Sequence, residues 1–143
     1  ENSIASGAIP QISAIMGPCI GVASYSPALT DFILMVRGTS QMFITGPPVI
    51  KEVLGEDVTM EELGGVGVHS EVSGVADMVS ADDERCLARI RELLAFLPNN
   101  CNAPLPRKVT NDDPERNLDN IEDLVPKNKR KAYDIVKVIK VIV

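Results

Sequence analysis

Three features of this 143-residue chain predict an α/β fold. Short apolar runs bounded by glycine and proline alternate with segments that carry helix-start and helix-stop signals. Hydrophobic residues make up 45% of the sequence, enough for a buried core at this length, yet no apolar run is long enough to span a bilayer. The first 50 residues carry only Glu1, Asp31 and Arg37 as charged side chains, which suits an interior better than an edge.

The elements follow in order. Residues 9–16 (IPQISAIM) are a short apolar run closed by Gly17-Pro18, with Ile12 and Ile15 placed as in a buried strand. Residues 17–29 read as a turn leading into a helix, with Ser26-Pro27 as its N-cap and first-turn pair. Residues 32–36 (FILMV) form a second buried strand and residues 41–45 a shorter third. Gly46-Pro47-Pro48 opens a helix over 49–54 that Gly55 ends. Thr59 and Glu62 match a capping box whose helix must be short, since Gly64-Gly65 follows. Residues 75–79 make a further strand. From Ser80 the clearest helix begins, with Asp82, Asp83 and Glu84 suited to its positive end. Leu87, Ile90, Leu94 and Leu97 share one face of it, and Arg85, Arg89 and Glu92 the other. Pro98-Asn99-Asn100 stops the helix. Residues 98–128 are rich in Pro, Asn and Asp and read as an extended connector, and a last helix runs from about Lys131.

Composition excludes several classes. The net charge is −6, against non-specific nucleic-acid binding. Residues 51–99 hold most of the acid, while 100–143 are slightly basic. Lys127-Asn128-Lys129-Arg130-Lys131 is read as a solvated patch at a loop-to-helix junction, or as a contact for a ligand's phosphate groups. Cys19, Cys86 and Cys101 are odd in number and form no C-x-x-C pair, which argues against a disulfide framework or a Cys-rich zinc site. His69 is the only histidine, so two-His metal sites within the chain are excluded, and no metal site is expected. A Cys–His catalytic pair would have to join it to one of three ordinary cysteines, which usually behave as small buried hydrophobes. Reduced cysteines and no visible secretory segment fit the cytoplasm, or the mitochondrial matrix in a eukaryote.

Residues 17–29 are where chemistry is expected. Where a strand runs through a glycine turn into a helix, several backbone N–H groups lack intrahelical partners and face outward at the positive end of the helix dipole. Such a turn holds an anion or a developing oxyanion, and small side chains let a ligand approach the backbone. The spacing matches neither G-x-G-x-x-G, nor a phosphate-binding loop, nor a G-x-S-x-G elbow. On pattern alone, a tight turn that merely needs glycine explains it equally well. His69 either lines a site or is structural; Tyr25 either touches a ligand or bonds to backbone from a buried helix face; Thr45-Gly46-Pro47 either shapes a pocket or punctuates a turn.

Gly17-Pro18-Cys19 followed by Tyr25-Ser26-Pro27-Ala28-Leu29-Thr30-Asp31-Phe32 resembles the carboxyltransferase (β) subunits of biotin-dependent acyl-CoA carboxylases. The likeness runs from Ala5-Ser6-Gly7 and Ile9-Pro10-Gln11-Ile12-Ser13, through Met42-Phe43-Ile44-Thr45-Gly46-Pro47, Glu56-Asp57-Val58-Thr59 and Glu61-Glu62-Leu63-Gly64-Gly65, to His69, Ser73-Gly74-Val75-Ala76 and Phe96-Leu97-Pro98. Propionyl-CoA carboxylase β chains, methylmalonyl-CoA decarboxylase α subunits and the transcarboxylase subunit that binds methylmalonyl-CoA all share the pattern. The resemblance implies a crotonase-like (ClpP/crotonase) superhelix of β-β-α turns. It divides the chain into the later part of a first carboxyltransferase domain (1–98), a connector (99–128) and the start of a second, truncated domain (129–143). The start at Glu1 and the apolar stretch Val138-Ile139-Lys140-Val141-Ile142-Val143 fit a piece of something longer, expected to be inactive and poorly soluble alone.

The resemblance further implies carboxyl transfer between carboxybiotin and a short-chain acyl-CoA. Backbone N–H groups at Gly21 and Val22 would stabilise the thioester enolate, with Cys19, Ile20, Ala23 and Tyr25 beside the substrate. Partners would be a biotin carboxyl carrier protein or biotin carboxylase subunit and further copies of the chain, in a dimer-based assembly up to a hexamer, each site lying between the first domain of one copy and the second of another. Two rival roles are a decarboxylase subunit that transfers the carboxyl group to biotin and a non-catalytic acyl-CoA-binding or oligomerisation piece. One departure stands out. The family turn reads Cys-Ala-Gly-Gly-Ala, whereas this chain reads Cys19-Ile20-Gly21-Val22-Ala23. Valine disfavours positive φ and brings a branched group to the place where the thioester would lie.

Overall fold

The computed structural model describes residues 1–111, 113, 115–118 and 121–142. Parts of the expected connector (112, 114, 119, 120) and Val143 therefore lie outside the described residues. The chain forms two compact units, Glu1–Arg107 and Lys108–Val143.

In the first unit a short helix, α1 (Asn2–Ala5), precedes a repeating pattern in which two successive turns of chain each add one strand to each of two parallel sheets. Strand β1 (Ile12–Ile15) enters the first sheet, β2 (Pro18–Ile20) the second, and a 3-10 turn (Gly21–Ser24) runs into α2 (Tyr25–Ala28). The next repeat places β3 (Phe32–Val36) beside β1, with Ile12 opposite Phe32, and β4 (Gln41–Phe43) beside β2, with Cys19 opposite Met42. Helices α3 (Pro47–Leu54) and α4 (Met60–Gly64) and a π-helical turn (Val68–Val72) follow. Strand β5 (Met78–Ser80) then joins β3, and α5 (Asp83–Leu94) packs behind the first sheet.

Strand β3 explains the chargeless first third. Its side chains alternate between two cores: Ile33 and Met35 join Ile15, Met42, Val66 and Ala76, while Leu34 and Val36 join Cys86. A central parallel strand is covered on both faces, so its sequence is apolar throughout. At the corner between β3 and β4, the fully buried Ser40 hydroxyl accepts from the Val36 N–H and donates to the Ile15 carbonyl, tying one repeat to the next.

The expected capping box is present: Thr59 Oγ1 accepts the Glu62 N–H at 3.2 Å and the Glu62 carboxylate accepts the Thr59 N–H at 2.8 Å. Those bonds hold the Glu62 carboxyl below its usual range. Because the folded value is depressed, the contribution is present at neutral pH and is lost as acid protonates the folded carboxylate. Thr59→Ala is expected to cost about 1 kcal/mol, measured by chemical denaturation. Gly55, with φ +74°, ends α3 as expected.

Five expectations are corrected. Residues 18–20 are a strand, β2, and not part of a turn. The helix after Gly21 starts at Tyr25 and is not capped by Ser26, whose hydroxyl and carbonyl instead accept from Asn2 Nδ2. Strand β5 begins at Met78 and not at 75, because Asp77 brackets Ile33: its N–H donates to the Ile33 carbonyl and its carboxylate accepts the Ile33 N–H at 2.8 Å. Ser80 belongs to β5, and Asp82 caps α5 by accepting from the Arg85 N–H. On α5 the inward face runs through Cys86 and Ile90, so Leu87 and Leu94 are left exposed.

The second unit holds α6 (Ile121–Leu124) and α7 (Ile135–Ile142). Asp134 Oδ1 accepts the Val136 N–H at 3.0 Å, so α7 begins four residues beyond Lys131. The Arg116 guanidinium donates to the carbonyls of Val141 and Ile142, where a cation complements the negative end of the helix. No helix among the described residues is long and apolar enough to cross a membrane.

Candidate functional site

The glycine turn sits at the carboxyl end of the two-stranded sheet. Strand β2 delivers the chain outward through Ile20, whose backbone is extended at φ −120° and ψ 143°. Gly21 then takes φ +67°, a left-handed value open to glycine at little cost. That reversal starts the 3-10 turn, so the N–H groups of Gly21, Val22 and Ala23 fall in a first turn with no preceding helical carbonyl to receive them. Ser24 is buried and its hydroxyl donates to the Gly21 carbonyl at 2.7 Å, closing the turn from below. The 3-10 segment is thus an irregular first turn that gives way to regular helix at Tyr25.

Val22 does not need to be glycine. Among the described residues only glycines have positive φ, so Val22 lies in ordinary helical space without strain. Its side chain is 80% exposed and makes no core contact. What valine changes at this position is shape and not backbone.

Beside the turn lies a cleft of about 180 Å³ lined by Ser24, Tyr25, Ala28, Met42, Phe43, Ile44, His69 and Val75. Its walls are almost wholly apolar. Tyr25 is 51% exposed at the mouth, which corrects the alternative of a buried, backbone-bonded tyrosine. His69 is half-buried: its Nε2 lies 2.6 Å from the Met42 carbonyl oxygen and its Nδ1 lies 2.9 Å from Ser73 Oγ. Both ring nitrogens are thus engaged without a cysteine.

The expected site residues divide. Gly21, Val22 and Ala23 share the turn, and Tyr25 follows on the cleft wall. Cys19 faces the other way, against the core between the sheets, and burial pushes its thiol pKa up. From β2 it offers a ligand nothing but backbone. Ile20 alternates outward and is partly exposed. Cys86 is fully buried and its thiol is likewise pushed up by burial. No group of three or more His, Cys, Asp or Glu suited to a metal occurs among the described residues. Phe43, Ile44, Ala28 and Val75 were not legible as site residues. They come from three separate stretches of chain, and no spacing in the sequence links them.

Stacked β-β-α turns with two parallel sheets, and a glycine turn opening beside an apolar cleft, define a crotonase-like carboxyltransferase fold. The chain belongs to the carboxyl transferase domain family, which matches residues 1–143. It is 56% identical over 139 residues to the methylmalonyl-CoA decarboxylase subunit alpha of Veillonella parvula, covering 97% of this chain and 27% of that protein. It is 57% identical over 135 residues to the propionyl-CoA carboxylase carboxyltransferase subunit of Haloferax mediterranei, covering 94% of this chain and 26% of that one. Among solved structures it is similar to transcarboxylase 12S, a hexamer described with hydrolysed methylmalonyl-coenzyme A bound, with a TM-score of 0.83 and 47% identity over 96% of this chain and 26% of that one. The chain thus spans about a quarter of the length of these relatives.

Proposed function

We propose that this chain supplies the acyl-CoA half of a carboxyltransferase site, in a protein that moves a carboxyl group between carboxybiotin and a short-chain acyl-CoA such as propionyl-CoA or methylmalonyl-CoA. The observation that carries this reading is the turn at Gly21–Ser24: a left-handed glycine opens a 3-10 turn beside an apolar cleft.

The chemistry follows from the thioester. Loss of a proton or of CO2 from its α-carbon leaves an enolate, and the negative charge collects on the former carbonyl oxygen. Fixed N–H groups aimed at that oxygen lower the barrier without reorganising, and one such donor is worth about 10²–10³ in rate. The N–H groups of Gly21 and Val22 fill this role, with Ala23 and Ile20 flanking the thioester. The walls formed by Tyr25, Phe43 and Ile44 exclude water from the acyl group. Biotin, carried on a partner carrier protein or biotin carboxylase subunit, supplies or accepts the carboxyl group. Repeated copies of the chain assemble the complete site, in the cytoplasm or the mitochondrial matrix. Exposed Ile4, Val22, Leu29 and Ile44 support such association, being large apolar side chains left open to solvent. Residues 1–98 form the later part of a first carboxyltransferase domain, 99–128 a connector and 129–143 the truncated start of a second.

Transfer in either direction uses the same enolate, and relatives named for each match this chain at 56% and 57% identity. The test therefore reads both. With its biotin partner, a carboxylase fixes labelled bicarbonate onto propionyl-CoA, a decarboxylase releases CO2 from methylmalonyl-CoA to free biotin, and an acyl-CoA-binding piece does neither. In the full-length protein, Val22→Gly is expected to raise turnover several-fold, because it clears a branched side chain from the thioester's approach and leaves both N–H donors in place. Unchanged rate and acyl-CoA affinity would remove support for the oxyanion role.

A further inference from the structure

We infer that His69 is a positioning residue for the glycine turn, acting through strand β4. The inference rests on the reading of the turn proposed above. Among the described residues strand β4 is the only strand beside β2 in the second sheet, and its ladder leads directly to the turn: Cys19 opposes Met42 and Ile20 opposes Phe43. A Cβ added to Gly21 would meet the Ile44 carbonyl oxygen at 3.8 Å, so the end of β4 is the floor against which the turn rests. Among the described residues no further strand joins the outer edge of β4. Among the described residues that edge is met by a single antiparallel bridge, Gln41 to Gly65, and by His69 at the next carbonyl, Met42. An edge strand presents N–H and C=O groups that no neighbouring strand satisfies, and His69 takes up one of them.

The chemistry of the ring fixes how His69 holds it. A carbonyl only accepts, so Nε2 carries the proton and donates to Met42 at 2.6 Å. In the neutral ring Nδ1 then accepts, and the Ser73 hydroxyl donates to it at 2.9 Å. Ser73 Oγ in turn accepts the Val75 N–H at 3.4 Å, and the His69 carbonyl accepts the Ala76 N–H at 3.0 Å. The ring is therefore held between Ser73, at the end of the π-helical turn, and the Met42 carbonyl, and it directs one N–H onto β4. Insertion of a residue into a helix to form a π-turn recurs where one side chain must be aimed. His69 also lines the cleft, so the same clamp sets the cleft wall formed by Met42 to Ile44.

The test compares His69→Gln, His69→Asn and His69→Leu in the full-length protein with its biotin partner. A glutamine amide reaches the place of Nε2 and keeps a donor on Met42, an asparagine amide reaches only the place of Nδ1, and leucine keeps neither. His69→Asn and His69→Leu are expected to lower kcat about 10- to 100-fold with KM for acyl-CoA little changed, and His69→Gln to restore most of the loss. Amide hydrogen exchange across residues 20–24 should quicken in His69→Asn and His69→Leu and stay near wild type in His69→Gln. Exchange is read without turnover, so it decides the role of His69 even if the wild-type protein transfers no carboxyl group, which would instead sink the functional reading. Should His69→Leu not fold, Ser73→Ala loosens the clamp alone and is expected to give a smaller change of the same kind. Wild-type exchange at 20–24 in His69→Asn, or equal loss in His69→Gln and His69→Asn, overturns the inference.

Discussion

Gly21→Ala is expected to lower carboxyl transfer by the full-length protein about 10²–10³-fold while costing only about 1–2 kcal/mol of stability. The two effects separate because of how Gly21 is placed. A Cβ there has room, its nearest neighbour being the Ile44 carbonyl oxygen at 3.8 Å, so there is no packing penalty. The strain is conformational: φ +67° is left-handed, and alanine leaves it by rotating the peptides on either side. One of those peptides carries the Val22 N–H and the other the Gly21 N–H. Relief of a small strain therefore misdirects both proposed donors. Steady-state kinetics with a carboxybiotin partner, run beside chemical denaturation, checks both halves. A loss of rate no larger than the loss of folded protein would count against the oxyanion role.

Gly64→Ala should be the most destabilising small substitution in the first unit, by about 3 kcal/mol, whereas Gly65→Ala next to it should cost less than about 1 kcal/mol. A Cβ on Gly64 would collide with the backbone carbonyl of Met42 and lie 2.9 Å from Phe43 Cδ1. That carbonyl is in β4 and receives the His69 N–H, so it cannot retreat without moving the strand. The atoms nearest a Cβ on Gly65 are those of the Glu61 carboxylate, the far end of an exposed side chain that can rotate away. Helix propensity alone points the opposite way, since alanine within α4 should gain about 1 kcal/mol over glycine. Thermal unfolding of the two variants thus distinguishes close approach of α4 to β4 from a preference of sequence.

How much of this was legible in advance depended on whether the signal was local. Residues 32–36 announced β3 because a strand buried on both faces must be apolar throughout, and Thr59 with Glu62 announced α4 because the capping box is four residues of local chemistry. Strand β2 was invisible: it is three residues long, starts at a proline, and shows one inward and one outward apolar side chain around it. Strand β5 was placed too early because Asp77, a residue depleted in strands, supplies a carboxylate in place of a backbone carbonyl at the head of the ladder. On α5 the four aliphatic positions outvoted Cys86, yet the small cysteine is what lets the helix sit close to Leu34 and Val36. The turn at Gly21 was readable from its glycine and its family pattern. The cleft was not, because Tyr25, Phe43, His69 and Val75 meet only once two sheets and a π-turn are in place.

The central claim is that backbone N–H groups of Gly21 and Val22 receive the thioester oxygen. A structure of the full-length protein with a non-reactive acyl-CoA tests it most directly. The oxygen is expected within about 3 Å of the Val22 nitrogen, with the acyl group along Tyr25 and Ile44. An oxygen held instead by a side chain, or by another segment with the 21–24 turn left facing solvent, would contradict the account.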